Sequence, residues 1–108
     1  MTMRQSLLLL PLAALLQAMP LAAAAPQTHV VVIDKMKFGA VPANLRAGDT
    51  IVWVNRDLFK HTATARNGSF NVDLPPNAKA RTVIRSAGAV PFYCIYHPGM
   101  TGVLEVAR

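Results

Sequence analysis

Cys94 is the single cysteine of the chain; His97 follows it by three residues and Met100 by three more. A thiolate, an imidazole and a thioether are soft donors, and as a set they suit copper that cycles between Cu(I) and Cu(II). One further imidazole would complete a trigonal His₂Cys group with a long axial methionine, the donor set of a blue-copper centre. His61 is the candidate, one short loop beyond a run rich in β-branched residues that carries Trp53. Taken singly, each residue has a plainer reading. His61 alone reads as a loop histidine, Met100 as a filler of core gaps, and Cys94 as a small buried hydrophobe. The joint pattern is what points to a metal.

Those donors need a scaffold, and the sequence around them reads as strands. Val30–Ile33 is an unbroken β-branched run, and Asp34–Phe38 alternates, with Met36 and Phe38 on one side and the lysines on the other. Ala47-Gly48-Asp49 is a turn signal before Thr50–Asn55. Ala63–Arg66 and Ser69–Val72 flank Asn67-Gly68, the signature of a tight hairpin. Arg81–Arg85, Pro91–Cys94 and Gly102–Val106 complete the series. About seven short strands with no helical period between them predict an all-β, antiparallel Greek-key sandwich. Strand parity turns Phe92 and Cys94 inward and Tyr93 outward. Pro98-Gly99 offers a turn that could return Met100 toward the metal.

Residues 1–24 predict a secretory signal peptide: Arg4, an uncharged Leu/Ala-rich stretch, and small residues at the exit. Pro11, Gln17 and Pro20 interrupt that stretch, and no basic stop-transfer cluster follows, which argues against a membrane anchor. Cleavage after Ala24 leaves a domain of residues 25–108, with ten basic and five acidic residues and a net charge of +5. The basic residues are scattered and not interleaved with aromatics, so nucleic acid is not the expected partner. A lone cysteine cannot form an internal disulfide, and in an oxidising compartment a metal is its simplest occupant. The expectation is a monomer in the periplasm.

The mature chain resembles the small cupredoxins (plastocyanins, pseudoazurins and amicyanins). The resemblance is carried by Phe38, Pro42, Leu45, Gly48-Asp49-Thr50, Trp53, Asn55, His61-Thr62, Gly88, Tyr93-Cys94, His97-Pro98, Met100 and Gly102. The C-x₂-H-x₂-M spacing is most similar to amicyanin. The resemblance implies that His61, Cys94 and His97 are equatorial ligands of one type 1 copper ion and that Met100 is axial. It also implies a non-enzymatic shuttle of single electrons between redox partner proteins, with a dehydrogenase and a c-type cytochrome as the suggested pair. Apolar residues around His97 are then the docking patch, with Pro98, Gly99 and Pro42 contributing. Family members often carry Asn after the first histidine; this chain has Thr62, whose hydroxyl can supply part of the same hydrogen bonding. The alternative function is a periplasmic copper carrier that hands over the metal itself. Such carriers expose clusters of Met and His, whereas residues 25–108 hold two methionines and three histidines.

Overall fold

A computed structural model describes Met3 and residues 25–108. Apart from Met3, the expected signal peptide lies outside the described residues. The elements are β1 (Thr28–Asp34), β2 (Lys37–Phe38), β3 (Leu45–Arg46), β4 (Thr50–Asn55), β5 (His61–Ala65), β6 (Asn71–Leu74), β7 (Lys79–Val83), β8 (Gly88–Cys94) and β9 (His97–Ala107). Among the described residues these are all strands, in two sheets ordered β2-β1-β4-β7 and β3-β9-β8-β5-β6. The all-β sandwich expected from the strand spacing is therefore present.

Most neighbouring strands run antiparallel, but β1/β4 and β3/β9 pair in parallel. The chain explains the first exception. Between β1 and β4 it crosses to the second sheet to form β3, then returns, so β4 re-enters the first sheet in the direction of β1.

Alternation along the strands builds the core. In β4, Ile51, Trp53 and Asn55 are buried while the residues between them are half-buried. In β8, Val90, Phe92 and Cys94 are buried and Tyr93 is half-buried, so the inward set includes the thiol. Aromatic rings fill the space between the sheets. Phe92 stands edge-on to Phe38 at 4.8 Å and to Trp53 at 5.2 Å between ring centroids, geometries that suit ring quadrupoles. The Trp53 indole N–H donates to Thr82 Oγ1 at 3.1 Å, which satisfies the one polar group such a ring buries.

One segment departs from the sequence pattern. The chain does not run straight from Asp34 to Phe38 but folds back on itself, with Asp34 opposite Lys37. Lys35 and Met36 both have positive φ (52° and 61°), as in the tight turns that suit the twist of a hairpin. Neither is Gly, Asn or Asp, the usual markers, so the turn is locally unfavourable. Its support comes from elsewhere in the chain. The Lys35 and Met36 amides donate to the Asp57 carboxylate at 2.7 and 2.9 Å. Met36 and Phe38 still pack against the core, so the expected facing of their side chains survives the turn.

Candidate metal centre

The four predicted ligands come from two places in the same five-stranded sheet. His61 opens β5, while Cys94 ends β8 and His97 begins β9. β5 and β8 are direct neighbours, and Cys94 stands opposite His97 across a two-residue link. The β8/β9 ladder then slips. Tyr93 pairs with Thr101 while Cys94 pairs with His97, so Pro98, Gly99 and Met100 form an excursion on one strand. A bulge of this kind re-aims side chains. It leaves Pro98 and Gly99 exposed and returns Met100 inward, where it is buried in the same cluster as Cys94.

The donor atoms converge. One atom each from His61, Cys94 and His97 lies within 4.8 Å of the others. Both imidazoles present Nδ1 to the thiol, His61 at 3.7 Å and His97 at 3.7 Å from Sγ. For a three-coordinate ion with metal–sulfur and metal–nitrogen bonds of about 2.3 and 2.0 Å at 120°, the nitrogen–sulfur separation is about 3.7 Å. The residues are thus spaced as a trigonal metal set would space them, and the soft donor types fit copper. Cys94 and His61 are fully buried, so the thiol is shielded from solvent oxidants. His97 is half-buried and faces His61 with ring centroids 5.0 Å apart.

Neighbouring groups hold this arrangement. The Thr62 amide donates to Cys94 Sγ at 3.4 Å. The Thr62 hydroxyl accepts from the Ile95 amide at 3.0 Å, which ties β5 to the loop between Cys94 and His97. Thr62 therefore supplies the loop bracing anticipated from its hydroxyl. His61 Nε2 lies 2.8 Å from Asp57 Oδ2, an interaction that sequence reading did not single out. The available signal was the i, i+4 spacing of an acid and a histidine across one short loop. Burial works against ionisation of Asp57, but hydrogen bonds from the Met36 amide, the His61 ring and the Lys35 amide outweigh it and hold the carboxyl below its ordinary range. His29, given no site role from sequence, lies away from this centre and contacts Asp49 at 2.9 Å.

Comparison with known proteins gives a consistent answer. No family model matches the chain. Amicyanin from Paracoccus versutus is 32% identical over 95 residues, covering 81% of this chain and 72% of the relative. The chain belongs to the amicyanin family of cupredoxins. Amicyanin from Paracoccus denitrificans is 28% identical over 95 residues, with the same coverage. The crystal structure of the Paracoccus versutus amicyanin superposes with a TM-score of 0.63 at 27% identity, over 74% of this chain and 81% of that one. The Cu(I) form of a methionine-to-alanine variant of amicyanin gives 0.62 at 27% identity, over 80% and 88%. As a member of this family the protein is a type 1 copper electron carrier and not an enzyme, and its cofactor is one copper ion.

Proposed function

We propose that His61, Cys94, His97 and Met100 would hold the copper, which would supply a one-electron couple, and that the ring edge of His97 would be the route for electrons. The observation that carries this reading is the pair of Nδ1 atoms, each 3.7 Å from a fully buried Sγ. Four protein donors leave no place for a substrate. The four donors lie on β5, β8 and β9 of one sheet, so little would have to rearrange on transfer.

The division of labour follows burial. His61 is fully buried and braced at Nε2. His97 is half-buried and has no hydrogen-bond partner beyond Cys94 among the described residues, which suits the ligand that meets a partner. Around it, the exposed apolar residues Leu58 and Phe59 precede His61, and Ile95 and Tyr96 separate Cys94 from His97. Lys60 Nζ lies 5.1 Å from the centre of the Tyr96 ring and joins the two loops. We assign these residues, with Pro98 and Gly99, as the docking patch. Lys60 and the +5 charge of residues 25–108 favour an acidic partner surface. The partners we propose are redox proteins, a dehydrogenase as donor and a c-type cytochrome as acceptor, met by a monomer in the periplasm after residues 1–24 are removed as a signal peptide.

Cys94→Ser keeps nearly the same volume but removes the soft thiolate. The expected result is loss of the intense visible band and much weaker copper binding. A Cys94→Ser protein that remains deep blue refutes the ligand set. Wild-type protein that is colourless, and that yields its copper to a chelator on reduction, would instead identify a carrier.

A further inference from the structure

The Asp57 carboxylate is the meeting point of the copper-site histidine and the hairpin turn of the opposite sheet. Oδ1 accepts from the Lys35 amide at 2.7 Å, and Oδ2 accepts from the Met36 amide at 2.9 Å while lying 2.8 Å from His61 Nε2. The Asp57 amide in turn donates to Asn55 Oδ1 at 2.9 Å. The Asn55 side-chain amide donates to the carbonyls of Phe59, at 2.8 Å, and Leu74, at 2.9 Å, so both ends of the loop are fixed. A carboxylate only accepts, and both backbone partners only donate. The third partner, His61 Nε2, must therefore also be a donor, and in the neutral ring this leaves Nδ1 as the unprotonated nitrogen facing Cys94.

We propose that Asp57 is a positioning residue of the copper site: it selects the His61 tautomer, fixes the ring plane, and ties both to the Lys35–Met36 turn. This rests on His61 being a ligand, as argued above. A charged acceptor on the far nitrogen of a ligating imidazole raises its basicity and orients it. The added electron density favours Cu(II) over Cu(I), so Asp57 lowers the reduction potential. The arrangement also gives the turn a function. Two consecutive non-glycine residues in the left-handed region present their amides as the cradle that holds the carboxylate. Asparagine cannot replace it. With one oxygen, it either leaves an amide group against the Lys35 N–H or abandons Met36 and His61 together.

The test has two independent readouts. In wild-type protein freed of copper, ¹⁵N NMR of the His61 ring should show the proton on Nε2; a ring protonated on Nδ1 alone overturns the proposal, whatever any variant does. In the copper-loaded protein, Asp57→Asn should reduce the preference for Cu(II) over Cu(I) about tenfold, raising the potential by about 59 mV. Asp57→Glu keeps the charge and should recover at least half of that shift. An Asp57→Asn protein with wild-type potential and wild-type ring tautomer shows Asp57 to be a brace for the turn and nothing more, and refutes the proposal. If Asp57→Asn does not fold, Asp57→Glu against wild type and the wild-type tautomer carry the decision. Failure of the copper reading itself looks different: wild-type protein would lack the thiolate band while its His61 tautomer stays as described.

Discussion

Gly102→Ala is a one-carbon change with a large expected cost. Gly102 sits on β9 directly opposite Phe92 on β8. A Cβ at this position would lie 2.3 Å from the Phe92 ring tip and 2.8 and 2.9 Å from the two adjacent ring carbons. Contacts that short force something to move. The ring has nowhere to go, because it is fully buried and wedged against Phe38 at 4.8 Å and Trp53 at 5.2 Å. Overpacking of a well-filled core costs about 1–3 kcal/mol, and a pinned ring places this site near the top, about 3 kcal/mol. For a domain of this size each kcal/mol is worth about 4–8 °C, so the melting temperature should fall by about 12–24 °C. The assay is thermal and urea unfolding of the copper-free protein. A second variant identifies the cause: Phe92→Leu makes room, so Gly102→Ala should cost at least about 1 kcal/mol less in that background. Gly102→Ala within about 0.5 kcal/mol of wild type, or a strictly additive double variant, would refute the account of strand packing behind Cys94.

Met100→Gln should still bind copper, because the axial thioether is a weak ligand, and it should lower the reduction potential by disfavouring Cu(I); an unchanged potential in voltammetry means that Met100 is not beside the metal. Thr62→Ala removes the acceptor of the Ile95 amide and should cost about 1–3 kcal/mol in urea unfolding, with Thr62→Asn restoring part of it; a neutral Thr62→Ala refutes the bracing role. Asp49 lies below its ordinary value of 3.8, first because the Gln27 amide donates to it and then because of His29. Its contribution is therefore whole above that value and is lost as pH falls through the lower folded-state value. The stability gap between wild type and Asp49→Asn should be widest near neutrality and close below about pH 3.8; a gap that does not change with pH contradicts this.

What could be read from the sequence, and what could not, divides along a physical line. Cys94, His97 and Met100 lie within one short segment, and Cys94 shares strand parity with Phe92, so local spacing carried most of the site. The longer strands were legible through alternation, with shifted ends. β2 and β3 have two residues each and are too short to show a period, which is why about seven strands were expected where the described residues form nine. The Lys35–Met36 turn lacks Gly, Asn and Asp, and its support comes from Asp57, 22 and 21 residues away. No local rule detects a turn held from that distance. Leu58 and Phe59 carry no sequence pattern that marks them; only the structure shows both exposed in the loop that leads into His61.

The same carboxylate chemistry appears at both ends of β4, with different consequences. Asp49 precedes the strand, accepts from the Gln27 and Arg46 amides, and contacts His29. Asp57 follows the strand, accepts from the Lys35 and Met36 amides, and contacts His61. Each acid joins β1 or its turn to a loop flanking β4, where two strands run parallel and no hairpin fixes their register. The sandwich needs such clamps for its own topology. At one end the clamp ends on a histidine that holds only the fold together. At the other, the histidine's second nitrogen faces Cys94, so the device that sets strand register also sets a ligand. His61 thereby takes its position from the same contacts that join β1 to β4, so a change that loosens that pairing should also displace the histidine from Cys94.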